Sequence, residues 1–286
     1  MKKAIGLILA FVMAFTGLVG CGGDKGESGG DAKGAEITVI SREEGSGTRD
    51  GFTELMGIKA DDKDNTTANA EISSSTSVVI STVAGNVNAI GYISLGSLND
   101  TVKAIKVDGV EASVENIKAG KYPVVRSFNL VTGSELSDLA KDFITFIMSK
   151  EGQEIVGGEG YISNIENSAE YVKQNGLTGR IVLAGSTSVA PVMEVLADAY
   201  KEMYSGVEIE IQQTGSGAGI TSTIEGACDI GMASRDLKDE EIAKGVEQTQ
   251  MALDGIAVIV NTENSVEDLS TEQIRSIFTG ETTTWE

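Results

Sequence analysis

The chain has 286 residues and a formal net charge of −21, because 43 Asp and Glu residues stand against 22 Lys and Arg. Such an acidic balance argues against nucleic-acid binding and against a basic membrane-binding patch. The sequence contains no histidine, which excludes Ser-His-Asp catalysis, metal ligation by imidazole and pH switching by histidine.

The start of the chain predicts export and attachment to a membrane. Two lysines precede an apolar run that ends in LVGC at 18–21, which is the layout of a secretory signal with a small residue before the cleavage point. Since LVGC resembles a bacterial lipobox, residues 1–20 are interpreted as a lipoprotein signal peptide. Cys21 would then carry the lipid, including palmitate, on the extracytoplasmic face of the cell membrane. The alternative is an ordinary signal peptide with an incidental cysteine.

Residues 21–35 are rich in glycine and charge and predict a flexible tether. Beyond it, short apolar runs alternate with amphipathic stretches. The apolar runs predict strands over 37–41, 89–93, 124–131, 180–184, 207–212, 230–233 and 255–260. The amphipathic stretches predict helices over 49–57, 77–84, 134–149, 151–156, 189–204, 219–225, 239–244 and 271–279. This alternation predicts α/β domains with mainly parallel sheets, and about 250 residues suit two of them.

Three turns rich in Gly, Ser and Thr stand between a predicted strand and a predicted helix. They are SREEGSGTRD at 41–50, GSTSVAP at 185–191 and TGSGAG at 214–219. Free backbone N–H groups at the start of a helix favour a negative ligand. Because ligands of parallel sheets lie beyond the carboxyl ends of the strands, the three turns predict one small oxyanion site.

These turns, together with CDIGMASRDL at 228–237, LDGIAVIVN at 253–261 and AGNVNAIGYISLGSL at 84–98, resemble the phosphate-binding proteins of ABC transporters. The resemblance covers nearly all of the chain after the tether. It implies an α/β, two-lobed fold of the type II periplasmic-binding-protein kind, which closes on inorganic phosphate and delivers it to the permease subunits. It implies no enzyme activity, cofactor or metal, and we expect a monomer.

The motifs occur in an unusual order. In the family GSTS, SGAG, DIG and LDGIAVIVN come first, whereas this chain begins with the SREEGSGTR and GYISLGSL segments and ends at ETTTWE. The sequence therefore predicts a circular permutant, in which a loop at 174–176 joins the family's former ends. A truncated or misassembled tandem gene is the alternative.

The permuted order predicts how the chain divides into lobes. One lobe is continuous, over residues 122–258, and carries the GSTS and TGSGAG turns. The other combines residues 36–121 with 259–286 and carries the SREEGSGTRD turn. The hinge strands are predicted near 121–125 and 256–260.

Motif positions in the family imply which residues bind phosphate. Those in the continuous lobe are Thr187, Ser188, Ser216 and Ser234, and those in the other lobe are Arg42, Ser46, Gly47 and Thr48. Arg42 would supply a guanidinium to two phosphate oxygens. Arg49 is interpreted as a solvated ion pair beside Asp50 at a helix start, and the alternative is a second cation for the anion.

One departure concerns selectivity. Some family members carry an Asp where this chain has Ser234, and that carboxylate accepts the proton of the ligand and thereby excludes sulfate. Asp254 and Asp236 are the candidates for that role here. A receptor for sulfate, molybdate or tungstate and a phosphate sensor without transport remain alternatives. A phosphatase is disfavoured, because the chain lacks histidine and acidic metal-binding motifs.

Overall fold

A computed structural model describes residues 34–61 and 63–286. The predicted signal peptide at 1–20, Cys21 and almost all of the predicted tether lie outside the described residues. Within the described ranges, no helix is both long and apolar enough to span a membrane.

Strands and helices alternate along this part of the chain. The strands are β1 (Thr38–Arg42), β2 (Lys59–Ala60), β3 (Lys63–Asp64), β4 (Glu71–Ser73), β5 (Ala89–Ser94), β6 (Val102–Ala104), β7 (Lys106–Val107), β8 (Val125–Thr132), β9 (Gly179–Gly185), β10 (Val207–Gln213), β11 (Ile230–Ala233), β12 (Glu247–Asn261) and β13 (Asp268–Leu269). The helices are α1 (Gly47–Leu55), α2 (Thr76–Ala84), α3 (Val114–Lys118), α4 (Asp138–Met148), α5 (Lys150–Gly158), α6 (Ala190–Met203), α7 (Ser216–Ile224), α8 (Asp239–Ile242) and α9 (Thr271–Thr279).

One sheet runs through the whole molecule in the order β10-β9-β11-β8-β12-β5-β1-β4, and β6 also pairs with β12. At one end β10, β9 and β11 are parallel, and at the other β5, β1 and β4 are parallel. The antiparallel pair β8 and β12 lies between them. Strand β12 pairs with β8 over residues 247–255 and with β5 over 256–260, so it belongs to both ends.

Two large hydrophobic cores lie on either side of this central pair, and a smaller third cluster is formed by Val131, Ile220, Ala233, Leu237 and Val246. One draws on residues 37–124 and 256–285, and the other on residues 128–252. The chain passes from one core to the other in β8 and again in β12. The predicted lobe boundaries at 121/122 and 258/259 lie close to these crossings and stay a prediction.

The predicted two-lobed α/β architecture is confirmed, with shifts at several element ends. The helix predicted over 134–149 begins only at Asp138, because the Ser137 hydroxyl accepts the Ala140 N–H at 3.1 Å and caps it there. The helix predicted over 219–225 begins earlier, at Ser216. Gly215 has a φ of 89°, which turns the chain directly from β10 into the helix.

Candidate functional site

The candidate site lies where strand ends from both cores meet. Strands β1, β9, β10 and β11 all lead into it, and helices α1, α6 and α7 begin at or next to it. The structure brings together all eight residues predicted to bind the anion, and all eight are buried. The N-terminal ends of three helices therefore point their partial positive charge at one small volume.

Hydroxyl groups of the two lobes lie close together, and we call this group the hydroxyl cluster. Its members are Ser46, Thr48, Thr187, Ser188, Ser216 and Ser234. Thr48 Oγ1 lies 2.8 Å from Ser188 Oγ, and Arg42 Nη2 donates to Thr187 Oγ1 at 3.1 Å. The backbone also crosses between lobes, since the Gly217 N–H donates to the Gly45 carbonyl at 2.9 Å. The cluster thus bridges the SREEGSGTRD turn and the two turns of the other lobe.

The close approach of the lobes depends on a missing side chain at Gly47. A Cβ atom there would lie 2.5 Å from Ser216 Oγ and 2.6 Å from Ser234 Oγ. These two serines contact each other at 3.2 Å, and the Ser234 N–H donates to Ser216 Oγ at 3.1 Å. Any larger residue at Gly47 would push the start of α1 away from both hydroxyls.

Arg42 is the arginine whose guanidinium donates to hydroxyls of the cluster, and it is 2% exposed. Its Nε and Nη2 donate to the Glu43 carboxylate, each at 2.7 Å. The edge formed by Nη1 and Nη2 faces the hydroxyls of Thr76 and Thr187, at 3.5 and 3.1 Å. That edge can form two parallel hydrogen bonds to an oxyanion while Glu43 holds the guanidinium in place.

A buried tyrosine fixes the end of β1 that carries this arginine. The Arg42 backbone N–H donates to Tyr92 Oη at 3.2 Å, and Ser41 Oγ lies 2.9 Å from the same oxygen. The Tyr92 ring stacks on Phe52 with centroids 4.0 Å apart. Burial raises the pKa of Tyr92 to about 12, so its hydroxyl stays neutral and supports the strand as a hydrogen-bond partner.

Ser46 and Arg49 organise the first turn of α1. The Ser46 hydroxyl accepts the Arg49 N–H at 3.4 Å, which leaves the hydroxyl proton for another acceptor. The predicted pairing of Arg49 with Asp50 is wrong, because Arg49 pairs with Asp64 at 2.7 Å. Burial opposes ionisation of Asp64, but hydrogen bonds from Thr66 and Arg49 outweigh it and hold its pKa below the ordinary value.

The two carboxylates proposed as proton acceptors form their hydrogen bonds with residues outside the hydroxyl cluster. Asp254, in β12, accepts hydrogen bonds from Ser94 Oγ at 2.9 Å and from Arg126 Nε and Nη2 at 3.1 and 2.9 Å. Asp236 is exposed and accepts the Ser127 hydroxyl at 2.6 Å, which lowers the pKa of Asp236. The structure brings neither carboxylate into contact with Ser234.

Two residues of this region were missed by the sequence reasoning. Glu43 lies inside the SREEGSGTRD motif, yet only the fold shows that its carboxylate holds the Arg42 guanidinium. Thr76 starts α2 and contacts Thr187 and Ser188 across the lobes. It belongs to the run SSST, which lacks the glycine that the other three turns contain.

The arrangement suits binding of an anion. Among residues 34–61 and 63–286, no group of three or more His, Cys, Asp or Glu side chains could hold a metal ion. The groups that face the cluster are hydroxyls, backbone N–H groups and one guanidinium edge. Ser and Thr hydroxyls both donate and accept hydrogen bonds, so the set matches an oxyanion in any protonation state.

Comparison with known proteins identifies the family of the chain. A family profile described as the PBP superfamily domain matches residues 24–151 and 172–286. Phosphate-binding protein PstS 2 of Streptococcus agalactiae is 48% identical over 284 residues, which cover 96% of each chain. A crystal structure of a phosphate-binding protein of a phosphate ABC transporter from Streptococcus pneumoniae TIGR4 is 48% identical. It aligns with a TM-score of 0.70 and covers 87% of this chain and 98% of that chain. Phosphate-binding protein PstS of Staphylococcus aureus is 37% identical over 108 residues, which are 35% of this chain and 33% of that protein.

Proposed function

The chain belongs to the PBP superfamily and, within it, to the PstS proteins, and from this premise we propose that it captures inorganic phosphate between its two lobes. It would deliver the phosphate to the permease subunits of an ABC transporter on the extracytoplasmic side of the membrane. The observation that carries the proposal is the convergence of the Arg42 guanidinium edge with hydroxyls from both lobes. The protein acts by binding, and no residue is assigned a catalytic role.

Each predicted residue has a role in this proposal that its position allows. Arg42 donates two hydrogen bonds through its free edge, and the hydroxyls donate one each. The hydroxyl donors are Ser46, Thr48, Thr187, Ser188, Ser216 and Ser234. Backbone N–H groups at Gly47 and at the other helix starts complete the set. Many donors are needed, because a buried oxygen lone pair without a partner costs about 1–3 kcal/mol.

A second candidate function is a receptor with low selectivity among tetrahedral oxyanions. Ser234 is fully buried beside Ser216 and Gly47, and its group is a hydroxyl. A hydroxyl accepts the proton of a hydrogen phosphate, yet it does not repel sulfate as a carboxylate would. This candidate is supported by the hydrogen bonds of Asp254 and Asp236, which go to Ser94, Arg126 and Ser127 rather than to Ser234.

Calorimetric titration of the purified protein with phosphate, arsenate, sulfate and molybdate tests both candidates. We expect phosphate to bind at submicromolar concentration. Silent sulfate would support a selective phosphate receptor, whereas sulfate binding within tenfold of phosphate would support the receptor with low selectivity. A complete lack of heat with phosphate would refute the proposed function. A sensor that does not transport would bind phosphate equally well, but its deletion would leave phosphate uptake by cells unchanged.

We also propose that the chain is a circular permutant of the family's usual order. The relative from S. agalactiae matches almost end to end, whereas the relative from S. aureus matches over about a third of its length. The first residues that the structure describes lie beside the last ones. The Gly34 N–H donates to the Trp285 carbonyl at 2.7 Å, and the Trp285 backbone N–H donates to the Ala35 carbonyl at 3.0 Å. This contact would be the family's uninterrupted connection.

Restoring the family's order tests the permutation. A gene that begins at 177, joins 286 to 34 and ends at 176 should give a protein that melts in one transition and binds phosphate with similar affinity. An aggregated product would favour the alternative of a truncated or misassembled tandem gene.

Small-angle scattering with and without phosphate tests the two proposed lobes, 36–121 plus 259–286 and 122–258, since closure should reduce the radius of gyration.

Membrane attachment through Cys21 is a further part of the proposal and rests on the sequence alone. Cys21→Ser should abolish incorporation of labelled palmitate into the protein, and labelling that persisted in this variant would refute the lipid anchor. Analytical ultracentrifugation of the protein without residues 1–21 checks the expected monomer.

A further inference from the structure

A fourth helix start enters the hydroxyl cluster from the lobe that carries Arg42. Helix α2 begins at Thr76, which is 4% exposed. The Thr76 hydroxyl lies 3.1 Å from Ser188 Oγ and 3.3 Å from Thr187 Oγ1, and both partners belong to the other lobe. Thr76 is therefore a contact between lobes within the candidate site.

The same residue also contacts the guanidinium. Arg42 Nη1 donates to Thr76 Oγ1 at 3.5 Å, so Thr76 lies beside the edge that is free to receive an oxyanion. The segment before α2 supports this arginine as well, since Arg42 Nε donates to the Ser73 carbonyl at 3.2 Å and β4 pairs with β1 at these residues. Arg42 and Thr76 are thus held in one rigid unit.

The backbone of Thr76 provides a second donor. At the start of α2 the Ser75 hydroxyl caps the Val78 N–H at 3.3 Å, which leaves the Thr76 N–H for another acceptor. That N–H points to Thr187 Oγ1 at 3.3 Å. A helix of nine residues adds its dipole in the same direction.

We propose that Thr76 is a further residue that binds the anion, through its hydroxyl and its backbone N–H. This inference rests on the proposed function and extends the site to a turn that no motif marked. The lobe of Arg42 then holds the oxyanion from two helix starts, α1 and α2, facing α6 and α7 of the other lobe. Because the Thr76 contacts cross between lobes, they form only when the lobes close.

Phosphate titration of Thr76→Val tests this role, since valine keeps the branched shape and removes the hydroxyl. We expect binding about tenfold or more weaker, because a hydrogen bond to a charged group is lost. Thr76→Ser should bind within about threefold of the unaltered protein, because the hydroxyl is restored. Thr82→Val is the matched control on the same helix, as Thr82 donates to Val78 within α2, and it should bind normally.

The outcomes separate this inference from the proposed function. If the unaltered protein bound no phosphate, the proposed function would fail. If it bound phosphate and Thr76→Val bound equally well, the Thr76 assignment alone would be overturned. If Thr76→Val folds poorly, Thr76→Ala provides a second variant without the hydroxyl. Thermal melting without phosphate checks that each variant is folded.

Discussion

Two buried arginines in this acidic chain have different surroundings, one at the candidate site and one at the crossing between the lobes. The Arg42 side chain is 2% exposed and that of Arg126 is 3% exposed. Each pairs with a carboxylate, Arg42 with Glu43 at 2.7 Å and Arg126 with Asp254 at 2.9 Å. By residue type and burial alone the two would be equally good anion-binding residues.

Their partners distinguish them. Asp254 is 1% exposed and accepts hydrogen bonds from Arg126 Nε and Nη2. The third nitrogen, Nη1, faces the Ser234 carbonyl at 3.5 Å. Every nitrogen of Arg126 thus faces a fixed protein acceptor. Glu43 is 27% exposed, and the free edge of Arg42 faces hydroxyls that can turn to donate. Arg42 can therefore donate to an incoming anion, whereas the nitrogens of Arg126 already donate to acceptors within the protein.

The largest expected effect comes from removing the free guanidinium edge. Arg42→Ala should weaken phosphate binding at least about 100-fold, because two charge-assisted hydrogen bonds of about 1.5–3 kcal/mol each are lost. Its fold should survive, since Glu43 is left partly hydrated. Calorimetry measures the affinity and thermal melting the stability. Affinity within tenfold of the unaltered protein would contradict the assignment of Arg42.

Removal of Arg126, at the crossing between the lobes, should lower stability rather than phosphate affinity. Arg126→Met leaves the Asp254 carboxylate buried without its partner, which should lower the free energy of unfolding by about 3–5 kcal/mol. Urea denaturation measures this loss. The double variant Arg126→Met/Asp254→Leu is the control, because removal of both charges should recover much of the stability. If Arg126→Met unfolded like the unaltered protein but lost phosphate binding, the contrast between the two arginines would be wrong.

A third arginine gives the smallest effect and sharpens the contrast. Arg235 pairs with Glu241 at 2.8 Å within its lobe and with Asp50 of the other lobe at 3.0 Å. Asp50 is 33% exposed, so Asp50→Asn should cost about 0.2–1 kcal/mol of closure and speed phosphate release by up to about fivefold. Stopped-flow measurement should show this difference at low salt and lose it at high salt. A difference that persisted in high salt would exclude an electrostatic cause.

The Gly/Ser turns between strand and helix are a local signal for an anion site, and the resemblance to the phosphate-binding family implied which eight residues would form it. The sequence did not identify Thr76, since the turn SSST becomes part of the site only through pairing of β4 with β1. The role of the two carboxylates as proton acceptors stays a prediction. Asp254 and Asp236 lie near the motifs along the chain, but their side chains are engaged by Arg126 and Ser127.

The same limit applies to the fold. The strand predicted over 255–260 is the second half of β12, whose first half is polar and exposed at 247–250. Apolar periodicity therefore found the half buried in one core and missed the half that pairs with β8. The lobes and their crossings depend on such pairings over long distances in sequence, which a local pattern does not contain.

The continuity of β12 has a consequence for attempts to divide the molecule. Each half of the sheet needs part of this strand as an inner strand, so a fragment that carried only one lobe would expose a long, unsatisfied sheet edge. Edges of that kind recruit other chains and lead to aggregation. The two lobes therefore share one strand, and we expect a protease cut within β12 to destabilise both.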